Sequence, residues 1–121
     1  CIIITSEMSE KTKNELISKS VKVEKVPLNK SGRVDLTFLY EILLKHNLTN
    51  ILIECGSTLS SELLKLKLIH KILMFISPKI VGGSINVPFS KIESDKMSDI
   101  VNLKNTEHTK IGEDILIKGW F

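Results

Sequence analysis

The chain has 121 residues, a formal charge of +3 and a hydrophobic share of 42%. This length fits one domain, and the apolar content is too high for a disordered segment. No apolar run approaches the roughly 18 residues that span a bilayer, so we expect a soluble protein with no membrane partner. Lysines and acidic residues are interleaved along the chain, and Arg33 is the only arginine. We therefore also expect no nucleic-acid partner.

The cysteines and histidines carry no metal-ligand spacing. Cys1 and Cys55 are the only cysteines, and the three histidines lie far apart in the sequence, so we expect no metal site. Unpaired thiols are typical of a reducing compartment, which predicts a cytoplasmic protein. The chain opens on an apolar run without an initiator methionine, and we expect residues 1–121 to form a single partial domain of a longer protein.

The first half of the chain predicts alternating strands and helices. Cys1–Thr5 is a continuous apolar run, typical of a strand covered on both faces. Glu10–Lys19 predicts a short helix, and the valines of Val21–Val26 predict a second strand. Asp35 is a suitable N-cap for a helix that ends near His46, because the leucines that follow it form one apolar stripe.

The second half continues this alternation and then changes character. Asn50–Glu54 predicts a buried strand, which runs through a glycine into a helix that ends near Leu68. Lys71–Ser77 predicts another strand. Short strands at Asp99–Leu103 and Asp114–Lys118 lack helices between them. The order predicts an α/β fold with a mainly parallel sheet flanked by helices and antiparallel C-terminal strands.

The junction between Glu54 and Leu59 is the segment with the clearest potential for chemistry. A strand that runs through Gly56 into a helix start leaves unpaired N–H groups and the positive end of the helix dipole, which together bind anions such as phosphate. The same residues also fit a tight turn at Gly56 with Ser57 or Thr58 as a simple helix cap. Spacing alone leaves both readings open, because no complete G-x-G-x-x-G is present. Glu54 fits either a ligand contact at the strand end or a carboxylate that faces water.

Several motifs together resemble the reductase domain of the bifunctional deaminase–reductase of riboflavin biosynthesis. The family pattern is a buried strand, a glutamate, small residues, a helix, a further strand, Pro-Lys and a glycine pair. The matching residues in this chain are Glu54, Gly56, Leu59, Pro78, Lys79, Gly82 and Gly83, with upstream support from Gly32–Leu36 and downstream support from Ile111–Ile115. Two departures are Cys55, where the family commonly has glycine or alanine, and His70-Lys71, where it has Asp-Glu.

The resemblance implies a dihydrofolate-reductase-like fold and a specific reaction. Members use NADPH to reduce the ribosyl group of 5-amino-6-(5-phosphoribosylamino)uracil to ribityl, so we expect a small-molecule substrate and NADPH as cofactor, and also a homo-oligomer. Carried over by motif, the cofactor pyrophosphate would meet Gly56, Ser57, Thr58 and Leu59. Glu54 would face the substrate, and Thr5 and Ser6 would meet the adenosine 2′-phosphate. The resemblance assigns no catalytic acid.

Two alternatives remain open from the sequence. One is a related dihydrofolate-reductase-like oxidoreductase with another pterin or pyrimidine substrate. The other is a nucleotide-binding or dimerisation module without chemistry of its own. The zinc signature of the deaminase half, H-x-E followed by P-C-x-x-C, does not occur in this chain. The family's substrate pocket uses strands that would precede Cys1, so we expect the chain alone to be inactive.

Overall fold

A computed structural model of the chain describes residues 1–80, 82, 89, 92 and 100–121. The chain forms two compact units, Cys1–Ile53 and Glu54–Phe121. No helix in the described part of the chain is long and apolar enough to cross a membrane.

The first unit is built on a parallel β-α-β unit. Strand β1 (Ile2–Thr5) pairs in parallel with strand β2 (Lys22–Lys25), and helix α1 (Glu10–Ser18) connects them. The Ser9 hydroxyl caps α1 by accepting a hydrogen bond from the Thr12 N–H at 3.2 Å. All three elements match the sequence-based prediction, although β1 is only half-buried instead of covered on both faces.

The second helix of this unit begins as predicted at Asp35. The Asp35 carboxylate accepts hydrogen bonds from the N–H of Thr37 at 3.0 Å and from its hydroxyl at 2.7 Å, and these bonds lower the pKa of Asp35. The first turn, Leu36–Phe38, is a 3-10 helix that leads into helix α2 (Leu39–Lys45). The predicted N-cap is therefore confirmed.

A carboxylate on β2 ties this strand to the C-terminal end of α2. Glu24 accepts hydrogen bonds from Lys45 Nζ at 2.8 Å and from His46 Nε2 at 2.7 Å. The side chains of Glu24 and His46 are only 15% and 9% exposed. The hydrogen bonds from Lys45 and then His46 hold the pKa of Glu24 below its ordinary value of 4.5.

The predicted strand Asn50–Glu54 is wrong in this structure. These residues form no strand, and Leu52 is 72% exposed. An apolar run becomes a buried strand only when a neighbouring strand pairs with it and another layer covers it. The described residues provide neither. Parallel pairing within them is therefore confined to β1 and β2.

The second unit combines one helix with an antiparallel sheet. Helix α3 spans Ser57–Lys65, which is shorter than predicted. Strands β3 (Lys71–Ile76), β4 (Lys104–Ile111) and β5 (Asp114–Trp120) form a sheet in the order β3-β5-β4. Both pairings are antiparallel, so the alternation of helices and strands does not extend the parallel sheet to β3 among the described residues.

The last strand is the part of this unit that the sequence predicts best, because the predicted strand Asp114–Lys118 lies within β5. Ile111 pairs with Asp114 across a two-residue turn that begins with Gly112 at φ +62°, where glycine is favoured because it has no Cβ. The strand predicted at Asp99–Leu103 is wrong over Ile100–Leu103, which lie outside any strand, and Asp99 lies outside the described residues. The observed strand β4 is fully exposed and polar, without an apolar alternation to predict it.

The Glu24 network generates a prediction about acid stability. Because folding lowers the pKa of Glu24, its contribution is complete above the unfolded-state pKa and is lost as pH falls through the folded-state pKa. We expect Glu24→Gln to flatten the fall of the unfolding free energy on acidification below about pH 5. Lys45→Met should flatten it partly. Urea unfolding at stepped pH measures this slope, and an unchanged slope in Glu24→Gln would contradict the network.

Candidate nucleotide-binding site

The N-terminus of α3 is open to an incoming anion. Gly56 is the N-cap residue, and no side chain makes a capping hydrogen bond there. The first helical backbone bond runs from the Ser60 N–H to the Gly56 carbonyl at 3.1 Å. The N–H groups of Ser57, Thr58 and Leu59 therefore lie at the positive end of the helix without helical acceptors.

The alternative that Ser57 or Thr58 caps the helix is not what the structure shows. Both residues lie inside α3, beyond the N-cap position. The Ser57 carbonyl instead accepts hydrogen bonds from the hydroxyls of Ser60 at 3.1 Å and Ser61 at 2.7 Å. These two buried serines fix the first turn from within the unit, while Thr58 and Leu59 remain exposed at its surface.

Gly56 is not required by the backbone conformation. Its φ of −76° and ψ of 173° are ordinary for any residue. A Cβ built at this position meets no atom within 4 Å. The tight-turn explanation therefore has no support in the described residues, and the open space beside Gly56 leaves room for a ligand to approach the backbone.

Glu54 lies two residues before this helix start. It is exposed and belongs to no strand, so the predicted position at a strand end is wrong. In the matched motif segment, Gly82 is described, while Gly83 lies outside the described residues. The structure therefore groups Glu54, Gly56, Ser57, Thr58 and Leu59 in one continuous segment of the second unit.

Thr5 and Ser6 lie in the first unit, at the carboxyl edge of its parallel strand pair. Thr5 is opposite Lys25 in the β1–β2 register, and its hydroxyl donates to the Glu7 carbonyl at 2.9 Å. A depression of about 510 Å³ at this edge is lined by Glu7, Met8, Ser9 and Lys25. Ligands of open α/β sheets bind at such carboxyl edges.

Lys25 is a candidate that the sequence interpretation missed. The feature that points to Lys25 is its position at the end of β2, because Thr5 holds the same position at the end of β1. Parallel strands bring their carboxyl ends together. Lys25 adds a positive charge to the depression that it lines. Among the described residues, no group of three or more His, Cys, Asp and Glu side chains is arranged to hold a metal ion.

Comparison with known proteins identifies the relatives of this chain. The family model described as the RibD C-terminal domain matches residues 1–117. The riboflavin biosynthesis protein RibD of Buchnera aphidicola subsp. Baizongia pistaciae is 39% identical over 87 residues, which cover 72% of this chain and 23% of that protein. A 5-amino-6-(5-phosphoribosylamino)uracil reductase from the Acyrthosiphon pisum subspecies is 31% identical over 69% of this chain and 40% of that protein.

An archaeal relative and a solved structure extend this comparison. The 2,5-diamino-6-ribosylamino-4(3H)-pyrimidinone 5′-phosphate reductase of Methanothermobacter thermautotrophicus is 30% identical over 92% of this chain and 52% of that protein. The structure of Acinetobacter baumannii RibD matches 98% of this chain and 30% of that chain, with a TM-score of 0.76 and 20% identity. The dihydrofolate-reductase-like α/β fold is thereby confirmed, and the chain spans about a quarter to a half of these relatives.

The open helix start generates a prediction about Gly56. In the full-length protein, we expect Gly56→Val to weaken binding of the nicotinamide cofactor at least about tenfold, because its side chain fills the approach to the α3 N–H groups. Gly56→Ser is the matched variant, since serine is a good N-cap and preserves helix stability. Both variants should lose affinity, whereas only valine should lose stability. Fluorescence titration and thermal unfolding separate the effects, and full affinity in both variants would refute the site.

Proposed function

Because the chain belongs to the RibD C-terminal domain family, we propose that the polypeptide containing it reduces 5-amino-6-(5-phosphoribosylamino)uracil to the ribitylamino product with NADPH. The observation that carries this proposal is the uncapped start of α3 at Gly56, within the segment that matches the family motif. An anion-binding helix start and a neighbouring glutamate are suited to a pyrophosphate beside a polar substrate.

In the proposed reaction, the residues of this chain bind and orient the cofactor and the substrate. The N–H groups of Ser57, Thr58 and Leu59 hold the cofactor pyrophosphate, and Gly56 allows its close approach. The Glu54 carboxylate accepts a hydrogen bond from a substrate N–H or hydroxyl. When bound, the nicotinamide supplies the hydride.

The 2′-phosphate contact that the family resemblance implies is proposed for the first unit taken by itself. Ser6 and Lys25 at the carboxyl edge provide a hydroxyl and an ammonium group for the 2′-phosphate, which NADPH has and NADH lacks. The Thr5 hydroxyl already donates to the Glu7 carbonyl, so Thr5 contributes to the phosphate site only if this bond is exchanged. The α1 helix start, capped by Ser9, lies beside the same depression.

A second candidate substrate follows from the archaeal relative. That protein's name specifies a 2,5-diamino-pyrimidinone phosphate, and its similarity covers 92% of this chain. The two substrates differ in the pyrimidine ring and share the ribosyl phosphate that is reduced, so the cofactor half of the site serves either one. We favour the uracil because the Buchnera reductase that is 31% identical to this chain is named for that substrate.

Assembly and location are part of the same proposal. The exposed Leu73 and Phe75 on β3, 44% and 60% exposed, support a homo-oligomer or coverage by the rest of the polypeptide. The two cysteines are free and exposed, which supports the reducing environment of a cytoplasm. The alternative is a non-catalytic module, and turnover in the assay described next would exclude it.

The reaction itself is tested on the full-length protein. We expect it to oxidise NADPH in the presence of the uracil substrate, and to use NADH with lower catalytic efficiency. The chain 1–121 alone should show no turnover, because the substrate pocket is expected to need strands that precede Cys1. Without these strands the reactants lose the oriented contact that is worth roughly 7–11 kcal/mol. The turnover of both proteins is measured by absorbance at the nicotinamide band and by chromatography of the product. No turnover with either pyrimidine would refute the proposal, and equal efficiency with NADH would refute the choice of cofactor.

The role of Lys25 has its own variant. We expect Lys25→Met to lower the NADPH-over-NADH preference by about tenfold, because one charge-assisted phosphate contact is lost. Lys19→Met is the matched control, since this exposed lysine lies at the opposite end of α1 from Ser9. Ratios of kcat/KM for the two cofactors measure the preference. Equal effects of the two substitutions would remove Lys25 from the site.

A further inference from the structure

A second cavity lies in the C-terminal unit, at the end of α3 that is remote from Gly56. It encloses about 590 Å³, within the range of small-molecule sites. Its apolar wall includes Leu64, Val101 and Phe121, and its cationic residues are Lys65, Lys67 and Lys104. The nine residues of α3 separate this cavity from the uncapped helix start by roughly 13 Å.

The charge of this cavity is positive and uncompensated among the described residues. None of the described residues that line it is acidic. None of its three lysines forms an ion pair with another described residue, whereas Lys118 on the neighbouring strand does pair with Glu107. Lysines that surround an apolar wall without carboxylates raise the local concentration of anions.

The lysines are not needed to complete the helix. Lysines near a helix C-terminus often satisfy its last carbonyls. Here the backbone does so, with bonds from the N–H of Lys67 to the Leu64 carbonyl at 3.0 Å and from the N–H of Leu68 to the Leu63 carbonyl at 2.9 Å. The ammonium groups of Lys65 and Lys67 are therefore available to a ligand.

We propose that this cavity binds a small aromatic anion, with its ring against Leu64, Val101 and Phe121 and its charged group among the three lysines. The apolar wall accounts for the ring, and the lysines account for a sulfonate, phosphate or carboxylate group. This site is distinct from the nucleotide site proposed at Gly56. Its occupation does not depend on the reductase assignment.

Two probes of the same shape test the proposal. Naphthalene-1-sulfonate is anionic and naphthalene-1-sulfonamide is neutral, and each is titrated into the ¹⁵N-labelled full-length protein. The sulfonate is expected to bind at least about tenfold more tightly, with amide shifts centred on Leu64, Val101 and Phe121. Equal affinity for the two probes would overturn the proposal.

A pair of charge reversals on one strand supplies the control. Lys104→Glu removes a cation from the cavity, whereas Lys110→Glu alters an exposed lysine of β4 that does not line it. We expect the first to weaken sulfonate binding about tenfold or more and the second to leave it unchanged. Circular dichroism establishes that both variants fold. If the two variants weaken binding equally, or if the shifts centre on Gly56, the cavity is not the site.

Discussion

Each unit buries only two apolar side chains among the described residues. These are Val26 and Ile42 in the first unit and Leu63 and Leu116 in the second. Burial of apolar area, worth about 25 cal/mol per Å², is the main favourable term in folding. Other large apolar side chains remain open to solvent, with Leu52 at 72% exposure. The stability of both units and the completeness of any site depend on what covers these surfaces.

The two outer strands of the C-terminal sheet differ in a way that follows from this constraint. Strand β4 is polar except for Ile111 at its end and carries an irregularity between Lys104 and Glu107, features that disfavour further pairing. Strand β3 is apolar, with Phe75 60% exposed. Further protein is therefore expected along β3. The start of α3 depends less on such coverage, because the buried Ser60 and Ser61 fix its first turn from within the unit.

Local signals were sufficient where the physics is local. The Asp35 cap involves residues within a few positions of one another, and the sequence predicted it. The absence of a strand at Asn50–Glu54 was not predictable, because an apolar run forms a strand only when a neighbouring strand pairs with it. Lys25 became a candidate only through its pairing with Thr5. Glycine is needed at position 119 because a Cβ there would lie 2.9 Å from the Leu103 side chain. No sequence pattern predicts this contact, because it joins two separate segments.

Hydrogen–deuterium exchange most directly tests the proposal that further polypeptide completes this domain. It compares residues 51–53 and strand β3 in chain 1–121 and in the full-length protein, with β5 as internal reference because it pairs on both sides. The account predicts exchange slowed by about tenfold or more at both segments in the full-length protein, as new pairing protects their amides. Equal exchange rates in the two proteins would contradict it.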